Sequence, residues 1–474
     1  MLKKLISVLL CSLLLIGGIT GVALAEPNSQ ASPSAQASAS PTPLPEFQNL
    51  SQGSITAPCA ILIDTASGKV LFSKNADTKC YPASITKIMT CILALKNGDL
   101  AEEIKVSNIV NTIEAGSSTC GLRPGETLTL EQLLYGLMLN SGNDAAAVIA
   151  EHFGGSIEGF ADMMNAYAAE IGMTNSHFVN PHGLHDDNHY TTPADMAKLA
   201  RVGMSIPKFR EIVSTRISEL PTNEVVSDER PLVNGNKLID PNSPYYYEYA
   251  IGVKTGYTTK ANHTLVASAS KDGVEVIAVV MNDEKEGKWK GMKTMFDYAF
   301  KYYGALDLQE MYAQSPLSFV PENADTSDGS EGRVQLKLVP DESTSTVIVD
   351  TKQNIAQLQN DPTALVLEPE NDLATIKAPI TEGQQITRYT YFKGGDPVSV
   401  GTLVAENAVN EEQTALPSLP DLTQEDGKPS YLTYALIALA VILLIILILR
   451  IRKARRFRRK NRRKRVVVYR RKKR

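Results

Sequence analysis

Cysteine is scarce in this sequence: five residues in 474, of which Cys11 lies inside an N-terminal apolar run. The other four, Cys59, Cys80, Cys91 and Cys120, show no metal-ligand spacing, which excludes a metal framework built on thiolates. They name no disulfide pairing either. With 43% hydrophobic residues the chain can fill a sizeable core without one, so free, partly buried thiols are expected. No internal repeat is present, which removes repeat arrays from consideration. Acidic residues are missing altogether from 450–474, where 17 Lys or Arg stand. Setting aside those 17 charges and the two lysines near the N-terminus turns a formal net charge of −4 into about −23 for the remainder. No polyanion partner is implied for so acidic a body.

Long uncharged runs occur at the two ends. Lys3 and Lys4 precede an apolar stretch from Leu5 to Val22 that closes on Ala23-Leu24-Ala25, the pattern of a secretory signal over 1–25 with the mature start expected at Glu26. Cys11 follows Leu9-Leu10 rather than small residues, which argues against a lipidated cysteine. Tyr431 to Leu449 is nineteen uncharged residues, enough to cross a bilayer core, so 431–449 is read as a transmembrane helix. A basic run directly after a span stays on the cytoplasmic side and touches anionic lipid; 450–474 is therefore expected to be a cytoplasmic tail, with no nucleic-acid partner. The expected topology is single-pass, with an extracytoplasmic body.

Between the ends the composition changes several times. Residues 26–50 are rich in Ser, Ala and Pro and read as a disordered spacer. Ala57 to Asp64 and Lys69 to Ser73 read as a hairpin turned at Ser67-Gly68. Ile85, Ile88, Met89, Ile92 and Leu95 recur at helical spacing over 83–95, with Pro82 ahead and Asn97-Gly98 behind. Further helices are expected over 130–139, 145–153 and 195–202. Strands return at 250–255, 264–270 and 274–281, the last two joined by Lys271-Asp272-Gly273, and a helix over 288–303 closes the domain. Strands, then helices, then strands predict an α+β domain with helices against an antiparallel sheet over 51–305. Short alternating segments over 306–406 predict a small β domain, and 407–430 a polar linker.

Three short motifs carry chemistry. Ser84-Ile85-Thr86-Lys87 sets a hydroxyl and an amine three residues apart on one helix face. A serine hydroxyl is a weak nucleophile until a base takes its proton, and a desolvated lysine can be that base at neutral pH. Ser268-Ala269-Ser270-Lys271 has the same spacing, but on a strand, where i and i+3 face opposite ways. Ser141-Gly142-Asn143 places a hydroxyl and an amide between two helices. Lys254-Thr255-Gly256 places an ammonium and a hydroxyl at a strand end, beside a glycine that admits a ligand closely. The three stand in order, 57 and 113 residues apart, as S-x-x-K, S-x-N and K-T-G.

With these motifs, Tyr81-Pro82-Ala83, Asn180-Pro181-His182-Gly183-Leu184, Asn234-Gly235-Asn236 and Lys254-Thr255-Gly256-Tyr257-Thr258, the domain resembles the low-molecular-mass penicillin-binding proteins, the D-alanyl-D-alanine carboxypeptidases. The β domain, with Ala378-Pro379-Ile380 and Gly383-Gln384, resembles the family's C-terminal domain more loosely. The resemblance implies a β-lactamase/transpeptidase-like fold. It also implies hydrolysis of the terminal D-alanine from peptidoglycan stem peptides through a Ser84 acyl-enzyme, and acylation by β-lactam antibiotics. Lys87 would take the Ser84 proton and Ser141 would relay it. Asn143, Lys254, Thr255, Gly256 and Tyr257 would bind substrate, the Ser84 and Tyr257 N–H groups forming the oxyanion hole. No cofactor or metal is expected: His182, His185 and His189 lie in an irregular Asn/Asp/Gly stretch with no helix to align them. A β-lactamase is the nearest rival, yet no E-x-x-L-N follows Ser141, and the surroundings of Glu170 do not fit. A membrane-tethered wall-binding protein with little catalytic power is the second.

Overall fold

The computed structural model describes residues 44–327, 331–341, 344–412 and 431–471. The expected signal segment, most of the spacer and most of the linker lie outside them. β1 (Cys59–Asp64) and β2 (Val70–Lys74) form the expected hairpin, with Gly68 at φ +77° and the Asp64 carboxylate accepting from Ser67 N at 2.7 Å. The helix expected over 83–95 is split. Ala83–Thr86 is a 3₁₀ turn, and α1 begins only at Lys87 (Lys87–Asn97). Pro82 brings no N–H to a first α-turn, Ala83 stands at φ +52°, and no side chain caps the turn.

The hairpin of β3 (Glu103–Lys105) and β4 (Thr127–Thr129) leads into α2 (Leu130–Met138), fixed by a capping box in which Thr129 and Gln132 satisfy each other's N–H groups. α3 (Asn143–Gly154) follows, then α4 (Ile157–Glu170), started by Ser156 accepting from Gly159 N at 3.0 Å. α5 (Pro193–Ser205) opens with a Thr192 cap and proline at its first position. α6 (Pro207–Ser214) and a hairpin of β5 (Ile217–Leu220) and β6 (Arg230–Val233) precede the strands β7 (Ala250–Thr258), β8 (Asn262–Lys271) and β9 (Val274–Asp283). α7 (Gly287–Tyr302) closes the series.

The sheet is antiparallel in the order β2-β1-β9-β8-β7. Both faces are covered, so its inner strands are apolar on both sides. Cys59, Ile61, Ile63, Val266, Ile277 and Val279 pack under α1 to α6; Ala60, Leu62, Leu265, Ala267, Ala278 and Val280 pack under α7. The period of two along each strand thus builds two separate cores. The sheet's outer edge, β7, runs past the 3₁₀ turn and brings Lys254-Thr255-Gly256 to Ser84.

β10 (Tyr303–Asp307) continues from α7 and pairs antiparallel with a distant strand, β13. After β10 come α8 (Leu308–Gln314), β11 (Ser318–Phe319), β12 (Val334–Pro340), β13 (Val347–Thr351), α9 (Lys352–Asn360), β14 (Leu365–Pro369), β15 (Gln385–Lys393) and β16 (Asp396–Ala405). A second sheet, β11-β12-β16-β15-β14, encloses its own core of Val334, Leu336, Tyr389, Leu403 and Ala405. Asp350 of β13, 5% exposed, lies 3.3 Å from Lys69 Nζ and also pairs with Lys393. α10 (Tyr431–Arg471) runs on through the basic residues; its segment Thr433–Lys453 is long and apolar enough to cross a membrane.

Candidate active site

Lys87 is a polar group buried within the first core. It is fully buried, and its Nζ lies 3.0 Å from Ser84 Oγ, 2.6 Å from Asn143 Oδ1 and 2.7 Å from the His182 carbonyl. The turn that carries Ser84 is held from three sides. Thr264 Oγ1 donates to the Pro82 carbonyl at 2.9 Å, and His189 Nε2 is 2.8 Å from Thr86 Oγ1. Gly183 presses on the Ala83 carbonyl so closely that a Cβ there would stand 1.9 Å from it. The loop 180–184 docks on α1 through Thr90 Oγ1, which donates to the Pro181 carbonyl at 2.6 Å.

Ser141 sits at φ +58° between α2 and α3, with Asn143 opening α3. The Asp144 carboxylate, buried at that helix N-terminus, accepts from Cys120 N at 2.9 Å and Leu122 N at 3.0 Å, so it ties the 118–122 loop to the Ser141 turn. Opposite, β7 presents Lys254, 2% exposed, whose one hydrogen bond among the described residues is to the Thr255 carbonyl at 3.1 Å. A Cβ on Gly256 would stand 2.9 Å from Ser84 N and 2.4 Å from Thr264 Oγ1. Only glycine lets the strand pass this close to the turn. Tyr257 stacks on His263 at 4.5 Å between centroids, and Gly235 of the Asn234–Asn236 turn lies against Thr255.

The Asp144 carboxylate apart, the buried charged side chains around Ser84 are lysines. Burial, then the neighbouring Lys254 ammonium, pushes Lys87 well below the ordinary lysine range. Burial and then Lys288 bring Lys254 down to about 7. Lys288, at the start of α7 and 3.3 Å from His263 Nδ1, is itself lowered to about 8 by burial and by Lys237. Three buried amines, each held below the ordinary lysine range, thus follow one another from the 3₁₀ turn to the start of α7.

The histidines do not converge. The His182 carbonyl faces Lys87 while its ring accepts from Leu184 N at 3.2 Å; His189 accepts from Val179 N at 3.1 Å; His185 stacks edge-on against Tyr81 at 4.7 Å. Burial first, and Lys87 second, lowers His182 to about 3. Among the described residues no group of three or more His, Cys, Asp or Glu is placed to hold a metal ion. The second Ser-x-x-Lys falls apart as alternation requires: Ser268 is buried in β8, while Lys271 lies over the Tyr249 ring at 4.5 Å. Glu170 ends α4 in an exposed pair with Lys96.

Residues 46–285 match the family model described as D-alanyl-D-alanine carboxypeptidase, with the Ser84, Ser141 and Lys254 motifs inside the matched span. The chain belongs to the D-alanyl-D-alanine carboxypeptidase family. It is 38% identical over 253 residues to the D-alanyl-D-alanine carboxypeptidase DacF of Bacillus subtilis (strain 168), covering 52% of this chain and 63% of that one. It is 35% identical over 246 residues to DacB2 of Mycobacterium tuberculosis (strain ATCC 25618 / H37Rv), covering 51% of this chain and 81% of the relative. The crystal structures of penicillin binding protein 5 from Haemophilus influenzae align at TM-score 0.52 and 27% identity, over 75% of this chain and 98% of that one. The alignment with DacF spans under two thirds of the relative's length.

Two members of this carboxypeptidase family site escaped the reading of the sequence. Asp144 looks like an ordinary helix N-terminal acid, and its grip on residues 120 and 122 is visible only in three dimensions. Periodicity gives Lys288 only as the start of a helix; its burial beside Lys254 follows from how α7 packs across β8 and β9. A lysine opening an otherwise amphipathic helix was the available signal.

Proposed function

We propose that this chain is a serine D-alanyl-D-alanine carboxypeptidase that removes the terminal D-alanine of peptidoglycan stem peptides. The observation that carries the reading is the environment of Lys87. A neutral amine has two N–H donors and one lone pair. The Asn143 amide oxygen and the His182 carbonyl can only accept, so they occupy both donors, and the lone pair is left for the Ser84 hydroxyl.

In acylation Ser84 Oγ attacks the carbonyl carbon between the two D-alanines while its proton passes to Lys87 Nζ. The N–H groups of Ser84 and Tyr257 receive the oxyanion, each such bond being worth about 3 kcal/mol in the transition state. Ser141, in the turn set by Asn143 and Asp144, hands the proton to the departing amine, and D-alanine leaves. Water then cleaves the ester and frees Ser84. Lys254 and Thr255 take the substrate's terminal carboxylate, with Lys288 adding charge behind them and Gly256 giving the strand room. A β-lactam enters by the same route: its carbonyl acylates Ser84 and its carboxylate takes the place of the peptide's.

On this reading Thr433–Lys453 spans the membrane once, with the body outside and the basic end of α10 inside. Intact-mass analysis of wild type and Ser84→Ala tests the proposal, with benzylpenicillin and with a pentapeptide ending in D-Ala-D-Ala. The expected result is one penicilloyl adduct and release of one D-alanine, in wild type only. An adduct on Ser84→Ala, or D-alanine release by it, would sink the assignment.

A further inference from the structure

Between Ser84 and Lys87 stands Thr86, fully buried, and its Oγ1 lies 2.8 Å from Nε2 of His189, a ring only 2% exposed. The other ring nitrogen, Nδ1, accepts from Val179 N at 3.1 Å. A main-chain N–H can only donate, so Nδ1 carries no proton. The proton of the neutral ring is therefore on Nε2, and Nε2–H donates to Thr86 Oγ1. Burial acts against the charged form and holds His189 down at about 3, so the ring is neutral at neutral pH. Phe178 meets the ring edge to face at 5.5 Å between centroids.

One imidazole thus bridges two separate pieces of the chain. Thr86 ends the 3₁₀ turn that carries Ser84, and Val179 leads into the loop 180–184, whose His182 carbonyl lies 2.7 Å from Lys87 Nζ. Those two pieces supply two of the three contacts of Lys87 Nζ, and Asn143 of α3 supplies the third. The loop is closed on itself: the Asn180 amide accepts from Gly183 N at 2.7 Å and donates to the Leu184 carbonyl at 3.0 Å. Its internal shape is therefore set, and what remains is where it stands against the turn. Thr90 Oγ1, donating to the Pro181 carbonyl at 2.6 Å, holds it on one side of Lys87, and His189 holds it on the other.

We propose that His189 is a positioning residue for the reaction, a single-tautomer imidazole that fixes the loop 180–184 against the 3₁₀ turn and so keeps Lys87 seated between the Ser84 hydroxyl and the His182 carbonyl. The inference rests on Lys87 being the base for Ser84. Neither ring nitrogen bonds to Ser84 or Lys87 among the described residues, so His189 acts only through Thr86 and Val179. Loss of the bridge lets the loop move off the turn and admits water to Lys87 Nζ, which weakens the burial that chiefly lowers its basicity. A misplacement of about 1 Å between reacting groups costs on the order of a hundredfold in rate. Asp186, His177, Lys87 and His185 are the titratable groups acting on the ring, and Lys254, Cys120 and Asp144 those acting on Lys87; the variants below keep them all.

The test follows acylation of the full chain in detergent by benzylpenicillin, read by intact mass across pH. His189→Leu keeps bulk and removes both bonds, Thr86→Val removes the Oγ1 acceptor alone, and the two are also combined. His189→Gln presents an acceptor and a donor on either side of one carbon, as Nδ1 and Nε2–H do. His189→Leu is expected to acylate about tenfold to a hundredfold more slowly at neutral pH, still to one adduct per chain, with its acid limb moved up toward the ordinary lysine range. Thr86→Val shifts the same way by less, the double variant is no slower than His189→Leu, and His189→Gln stays within a few fold of wild type. A wild-type rate in His189→Leu, a slow rate with an unmoved acid limb, losses that add in the double variant, or a folded His189→Gln as slow as His189→Leu would overturn the proposal. Where His189→Leu does not fold, Thr86→Val and His189→Gln decide by the same rates and limbs. A wild type that takes no adduct at Ser84 overturns the reading of Ser84 itself and this inference with it, whereas normal wild-type acylation confines any failure to His189.

Discussion

Two places in this protein bury charge, and they do so in opposite ways. At the site, Lys87, Lys254 and Lys288 share one sign, and their basicity falls because burial is reinforced by Lys254 at Lys87, by Lys288 at Lys254 and by Lys237 at Lys288. On β13, Asp350 meets Lys69 and Lys393. Burial alone would raise that carboxyl, but Lys393, the Thr351 N–H and Lys69 outweigh it and hold it down at about 2. The difference is one of balance: repulsion among buried amines works against stability and lowers their basicity, whereas the opposed charges at Asp350 link β13 to Lys69 beside β2 and to Lys393 of β15.

Replacing one member of each cluster should therefore act with opposite sign on stability. Lys87→Met removes the base, and acylation by benzylpenicillin is expected to fall on the order of a thousandfold or more. A lysine held below its unfolded value of 10.5 costs stability at every pH under that value, so the same variant should melt no lower than wild type, and higher at neutral pH. A calorimetric scan that shows clear destabilisation breaks the comparison.

Asp350→Asn should do the reverse, losing about 1–2 kcal/mol at neutral pH with D-alanine release unchanged. Because the folded carboxyl sits below its unfolded value of 3.8, the contribution is complete above that pH and disappears as pH falls toward 2. Denaturant titrations of wild type and Asp350→Asn should accordingly converge in acid; a gap that persists there would assign the loss to packing instead. The smallest effect is expected from deleting 431–474. The product should leave the membrane fraction, and its D-alanine release, measured per active site, should match that of the full chain. Loss of turnover would show that α10 acts on the site.

Much of this was legible along the chain because it depended on local pattern. The β1–β2 hairpin, the Lys271-Asp272-Gly273 turn and the helix beginning near Lys288 are set by turn residues and by periods of two and 3.6, and they were found within a few residues of their ends. Ser84 and Lys87 were paired correctly by spacing, although the turn between them is 3₁₀ where an α-helix was read. α4 was passed over, because Gly159 interrupts its first turn and its cap, Ser156, looks like part of a loop. What stayed hidden was non-local. The pairing of β10 with β13 joins residues 40 to 48 positions apart, and the contact of Asp350 with Lys69 and Lys393 joins three separate stretches. No periodicity records such partners.

The central claim is that the buried amines set the protonation state in which Ser84 is activated. Its most direct test is the pH dependence of the second-order rate of acylation by benzylpenicillin, which reports groups in the free enzyme. A bell-shaped profile is expected. The acid limb has its midpoint well below 10.5, as Lys87 loses its proton, and the rate declines beyond about 7 to 8 as Lys254 and Lys288 lose theirs. A rate that climbs without a maximum toward pH 10.5 would contradict it.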